Sequence, residues 1–132
     1  MAHRYKFKVY YEDTDFAGIV YYANYFKFTE RARSEAIAFV GIDQLSLKCN
    51  GMFFVVKKLD ANFMRSAKFS DILIASTKVK KVSNASIILD QEICLADEPI
   101  FQSNVKIGLI HEGRPVKFDK TMVNCFNKIN KI

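Results

Sequence analysis

Residues 4–11, RYKFKVYY, alternate strictly, with Tyr5, Phe7, Val9 and Tyr11 on one side and Arg4, Lys6 and Lys8 on the other. A period of two belongs to a strand with one buried face. Residues 12–20 break that pattern and contain Gly18, as a loop does. From Tyr22 to Val40 the period lengthens: Tyr25, Phe28, Ala32, Ala36 and Phe39 recur at steps of three and four, and Glu30, Arg31, Ser34 and Glu35 take the opposite side. This predicts a helix of about 18 residues, roughly 27 Å long. Gly41 stands where a C-terminal stop belongs, and Arg31 and Glu35 have the spacing of an i,i+4 ion pair. Apolar residues cover more than half the helix girth, which predicts deep burial.

After residue 52 the chain reads as strands. FFVVKKLDANFMRSA (53–67) opens on an apolar run and then alternates through Leu59, Ala61 and Phe63. DILIASTKVKKV (71–82) ends at Ser83–Asn84. SIILDQEICLA (86–96) places Ile87, Leu89, Gln91, Ile93 and Leu95 on one face and ends at DEP. FQSNVKIGLI (101–110) does the same with Phe101, Ser103, Val105, Ile107 and Leu109, and ends at EGRP. The tail from Asp119 predicts a short closing helix with Asp119 as its N-cap. The expected architecture is α+β: one long central helix wrapped by a roughly five-stranded antiparallel sheet, in a single domain spanning 1–132. Such a sheet leaves an edge strand open, and pairing two sheets edge to edge hides it, which predicts a homo-oligomer, either a dimer or a dimer of dimers.

Composition narrows the function classes. Half of the 132 residues are hydrophobic and about a quarter are charged, in the proportions of an ordinary globular domain. No apolar run approaches the roughly 18 residues that span a bilayer, and MAHRYKFKVYY has no continuous apolar stretch of the signal-peptide kind. Three cysteines, Cys49, Cys94 and Cys125, lack metal-ligand spacing and are odd in number, so a cytoplasmic protein without disulfides or a metal site is expected. With only His3 and His111, a Ser-His-Asp triad is improbable. The net charge of +6 suits an anionic ligand. Its densest cluster, KVKK (78–81), comes without a basic helix or any nucleic-acid motif, which argues against nucleic acid as partner.

The chemistry concentrates in YYEDTDFAGIVYYANYFKFTERARSE (10–35), where two carboxylates flank a threonine just ahead of a run of aromatics. This stretch resembles the signature of the hot-dog-fold thioesterases: D-x-D, x-x-G, V-Y, N-Y and E-R-A-R at fixed spacing. The resemblance is to the 4-hydroxybenzoyl-CoA thioesterase-like group, most closely to the bacterial acyl-CoA thioesterases associated with the Tol–Pal system. FVVKKLDANFMRSAKFSD (54–71) resembles that group's second strand and following turn. The resemblance implies a hydrolase acting on acyl-CoA without a cofactor, as a dimer with active sites at the subunit interface.

Carried over residue by residue, the resemblance assigns the catalytic carboxylate to Asp15 and the oxyanion donor to the backbone N–H of Tyr22. Where the Tol–Pal-associated enzymes usually carry His, this chain has Tyr22, a difference that leaves a backbone role intact. Asp13 is expected to hold the loop through hydrogen bonds to backbone. Gly18 lets the loop turn tightly, and Tyr25 and Phe26 are the candidate acyl pocket. Elementary chemistry agrees. A thiol with a pKa near 8.5 leaves with little help from an acid. One carboxylate, as nucleophile or general base, then suffices if a helix N-terminus stabilises the oxyanion. Lys58 and Arg65 are the candidate contacts for the phosphates of coenzyme A. An acyl carrier protein, acidic and bearing the same pantetheine arm, fits the basic surface as an alternative donor. The competing reading is a non-catalytic hot-dog module that binds acyl-CoA or acyl carrier protein.

Overall fold

The computed structural model describes residues 2–132. Strand β1 (His3–Lys8) leads through a 3₁₀ turn at Tyr11–Asp13 to the long helix α1 (Asn24–Phe39) and a short helix α2 (Gln44–Cys49). Then come β2 (Met52–Phe63), β3 (Ile72–Val82), β4 (Ser86–Leu95), β5 (Glu98–His111), β6 (Arg114–Val116) and α3 (Lys120–Lys128). The sheet runs in the order β1-β3-β4-β5-β2 with every ladder antiparallel. β4 pairs β5 up to Gly108 and β6 pairs it from Leu109 to His111. The predicted α+β architecture of one long helix against a curved antiparallel sheet is the one observed.

The differences from the sequence reading have local causes. β1 stops at Lys8 because the chain turns into the 3₁₀ segment, which leaves Tyr11 83% exposed instead of inward. α1 begins at Asn24, two residues late, because Tyr22 and Ala23 form the preceding turn. At its other end Gly41, with φ +96°, donates its N–H to the Ala38 carbonyl and stops the helix as expected. Phe39 is not on the buried face: it is 66% exposed, with its ring 5.3 Å from that of His3, and Ile37 fills the core in its place. Glu30 accepts from the Ser34 hydroxyl at 2.9 Å, and Arg31 forms no ion pair with Glu35. β2 ends at Phe63 rather than Ala67, since the Met64 and Arg65 N–H groups both turn to the Ile100 carbonyl.

Two elements escaped the pattern. α2 has six residues, too few to establish a period, and Asp43 caps it by accepting from Leu45 N–H at 3.0 Å. β6 lies within what reads as the turn EGRP, where Glu112 and Gly113, with φ +50° and +75°, close a hairpin. Asp119 caps α3 as expected, accepting from Met122 N–H at 2.7 Å.

The interior consists of two apolar clusters. One gathers Val20, Tyr25, Phe28, Ala32, Leu73, Ile93 and Phe101 around the first half of α1. The other gathers Ala36, Ile37, Leu89, Val105, Ile107 and Phe126 around its second half. α1 packs over β1 and β3, which leaves the inner face of β2 largely uncovered. Val56, Leu59 and Phe63 are exposed there. Among the described residues no helix is long and apolar enough to cross a membrane.

Candidate active site

The loop after β1 is tied down at both ends. Asp13 accepts from Tyr10 N–H through Oδ2 at 2.8 Å, and its carbonyl accepts from Tyr21 N–H at 3.0 Å and from Asn24 Nδ2 at 2.9 Å. The Asp13 side chain and carbonyl thus both bond within the loop and the start of α1. Asn24, the first residue of α1, fastens the helix to the loop. On the far side Val20 N–H donates to the Ala67 carbonyl at 2.8 Å, and Ala67 N–H donates to the Tyr25 hydroxyl at 3.1 Å.

Between these anchors Asp15 sits on a tight turn. Its N–H donates to the Ile19 carbonyl at 2.9 Å and its carbonyl accepts from Gly18 N–H at 3.0 Å. Carboxylate Oδ1 accepts from Ala17 N–H at 2.9 Å, while Oδ2 meets no donor among the described residues. One oxygen orients the group and the other is left unpaired among the described residues.

Gly18 carries φ +82°, and a Cβ built there meets nothing within 4 Å. The glycine is required by the turn's backbone and not by crowding. Gly18→Val puts a β-branched residue where the left-handed conformation strains it. Thiol release is expected to fall at least about tenfold while the circular dichroism spectrum stays native. Gly18→Asn, whose side chain tolerates that conformation, is expected to keep most of the activity. Equal activity in the two variants would show the turn to be unimportant.

Asp15, Tyr22, Tyr25, Phe63 and Arg65 line one cleft of about 320 Å³, with Val20 as part of its wall. Tyr22 N–H and Ala23 N–H, the last before the helix, have no acceptor within the described residues. They are orphan donors at the positive end of α1, on the segment that bounds the cleft. The sequence reading named the Tyr22 group and missed Ala23. The Tyr22 ring is 59% exposed, 6.2 Å from Phe63 and 5.0 Å from Tyr21.

Tyr25 is buried, with its ring stacked on Phe101 at 5.1 Å, and burial raises its phenol above the usual range. Half-buried Phe26 packs edge-on against Phe63 and Phe101. Phe63, which the sequence reading noted only as an inward strand residue, touches all three of these aromatic neighbours. Arg65 stands on the cleft and pairs with the exposed Glu98. Lys58 is not brought there. It lies opposite Lys106 on the outer face of the sheet, in a separate pocket with Lys80 and Asp60.

Burial and the neighbouring Glu92 push the Cys94 thiol up to about 11, away from thiolate chemistry. No group of three or more His, Cys, Asp or Glu among the described residues is arranged to hold a metal.

A family model described as the thioesterase superfamily matches residues 17–102. The chain belongs to the thioesterase superfamily. It is a thioester hydrolase with the hot-dog fold. It is 34% identical over 125 residues to the acyl-CoA thioesterase YbgC of Haemophilus influenzae, covering 92% of each chain. With the Helicobacter pylori (strain 26695) protein of the same name it shares 35% identity over 133 residues, covering 92% of this chain and 98% of that one. Among solved structures, a probable thioesterase from Bartonella henselae superposes with a TM-score of 0.81 at 33% identity, over 89% of this chain and 98% of that one.

Proposed function

We propose that this protein hydrolyses acyl-CoA thioesters to a free acid and coenzyme A, with Asp15 as the nucleophile or general base. The observation that carries this reading is the single cleft that brings the free oxygen of Asp15 beside the segment bearing the unpaired Tyr22 and Ala23 N–H groups. As the carboxylate or the water it activates attacks the thioester carbonyl, negative charge gathers on the carbonyl oxygen. Preorganised backbone donors are worth most at that moment, about 10²–10³-fold in rate for one such donor. The thiolate then departs without needing a strong acid. The names of the relatives support coenzyme A as the carrier.

The aromatic wall of Tyr22, Tyr25 and Phe63 receives the first part of the acyl group and excludes water, with Phe26 backing it. Arg65, at the cleft, is the phosphate contact this reading retains. Lys58 lies outside the cleft of its own protomer. Acyl carrier protein would present the same thioester to the same groups and is the second donor to test. The enzyme works as a homodimer whose sheets meet along β2, as its uncovered apolar face suggests. Three free cysteines suit a reducing, cytoplasmic setting. The link to the Tol–Pal system rests on the resemblance of residues 10–35.

The test is thiol release from a panel of acyl-CoA thioesters, aliphatic from short to long and aromatic, with acyl carrier protein thioesters in parallel. At least one acyl-CoA should turn over with kcat/KM in the ordinary enzymatic range of about 10⁴ M⁻¹s⁻¹ or above. Tight binding of acyl-CoA with no thiol released across the panel would favour the non-catalytic module.

A further inference from the structure

Two β-bulges stand at the same level of the sheet, and each inserts a lysine. In β2 the pairing with β5 slips between Val56 and Lys58, which leaves Lys57 as the extra residue. In β3 the pairing with β4 slips between Val79 and Lys81, which leaves Lys80. The row between the bulges runs Lys58, Lys106, Ile88 and Lys81 across β2, β5, β4 and β3. It lies on the outer face, because the alternate residues Ile87, Leu89, Val105 and Ile107 are buried in the core. Bulges re-aim side chains and are frequent beside functional sites.

Lys58, Lys80 and Lys106 converge on a pocket of about 250 Å³ that Asp60, Ile88 and Asn104 complete. Lys58 and Lys106 stand directly opposite each other, and like charges so placed weaken a sheet. Among the described residues no carboxylate forms an ion pair with Lys57, Lys58, Lys80 or Lys106. Asp60 is the single carboxylate in the lining, and nearby Asp90 accepts from Gln102 Nε2 at 3.0 Å. The polar wall is also unfinished, since Asn104 Oδ1 is buried and has no partner among the described residues. Gly108 follows Lys106 on the same face of β5. A Cβ there would stand 2.6 Å from Lys57 Cε and 3.2 Å from its Nζ, so the glycine leaves room for Lys57 to lie across the strand. A solvated face is served by interspersed signs, whereas cations gathered in a concavity lack an anion.

We propose that this pocket binds a diphosphate group, such as that of a nucleotide or of coenzyme A, at a site separate from the Asp15 cleft. The two share no lining residue. The pocket opens on the side of β2 opposite its apolar face, so a second copy docked on that face leaves it open. Its size suits one or two phosphate groups held by lysine ammonium donors. No aromatic ring lines it, which removes the stacking platform that a nucleic-acid strand uses. The inference stands independently of the chemistry at Asp15.

The test is isothermal titration calorimetry of the whole protein with inorganic pyrophosphate, ADP and coenzyme A, and with inorganic phosphate for comparison. Pyrophosphate should bind with Kd below about 1 mM at low salt, more tightly than phosphate, and more weakly as salt is added. Lys58→Gln and Lys106→Gln, both on an exposed sheet face and expected to fold, should each weaken it at least about fivefold. Asp60→Asn removes the negative charge from the lining and should tighten it. A surface acting only through its overall charge would hold phosphate as well as pyrophosphate and lose little with either lysine variant. That outcome overturns the site, as does the absence of saturable binding by pyrophosphate, ADP and coenzyme A alike. Thiol-release kinetics identify the source of the diphosphate. A raised KM for acyl-CoA in the lysine variants assigns the pocket to coenzyme A, and an unchanged KM with ADP binding lost assigns it to a separate nucleotide.

Discussion

Asp15→Asn is expected to lower kcat for acyl-CoA hydrolysis at least about a hundredfold while KM changes little. The substitution isolates the charge. An asparagine oxygen still accepts from Ala17 N–H, the 2.9 Å bond that orients the side chain, so the turn from Asp15 to Ile19 keeps its shape. What disappears is the second oxygen as a base or nucleophile, since an amide is neither at neutral pH. Asp13→Asn is the matched control. Its oxygen keeps accepting from Tyr10 N–H, and its backbone carbonyl still receives the Tyr21 and Asn24 donors. Rate loss there should stay within a few fold. Steady-state kinetics on the substrate with the highest kcat/KM decide the matter. Abolition by Asp13→Asn with survival of Asp15→Asn would exchange the two roles, and indifference to both would end the carboxylate mechanism.

The second large effect concerns assembly. The protein is expected to sediment as a dimer or larger, and a variant held as a monomer is expected to lose nearly all activity. The two sheet edges differ. β1 is six residues long and turns Arg4, Lys6 and Lys8 to solvent, which guards an edge against pairing. β2 is twelve residues long and presents Val56, Leu59 and Phe63 exposed on its inner face. Phe63 also walls the Asp15 cleft, with exposed Tyr22 and Met64 beside it. The expectation comes from an apolar surface running from this edge strand into the cleft, where a docked second copy would supply a further wall. An obligate interface of this kind buries upwards of about 2,000 Å². Leu59→Asp plants a charge in its middle, and should shift the protein away from the dimer with activity down at least about a hundredfold. Sedimentation equilibrium alongside thiol release checks both halves. A stable, fully active species of 15.2 kDa would refute the shared cleft.

What the sequence by itself determined is the chemistry that is local along the chain. Asp13, Asp15, Gly18, Tyr22 and Asn24 lie within one short stretch, and hydrogen bonds within that stretch or to its immediate neighbours hold them in place. Their spacing therefore carried nearly all the information. Alternation likewise determined which strand residues face inward, Gln91 and Ser103 among them, and it already put Lys58 on the side opposite Leu59, Ala61 and Phe63. Tertiary structure decided what period alone leaves open. The register of β3, β4 and β5 depends on turn geometry and on slips in pairing at Val79/Lys81 and Ile93/Cys94. Only that register sets Thr77, Gln91 and Ser103 in one row beneath Thr29 and Arg33. The end of β2 at Phe63 is decided by the Ile100 carbonyl from a distant strand, and with it the bend that carries Arg65 to the cleft. Phe39 fits the apolar period of α1, yet it lies outside because β1 and β3 cover only one side of the helix. A helix's own periodicity marks its apolar stripe, and the neighbouring elements determine how much of that stripe is buried.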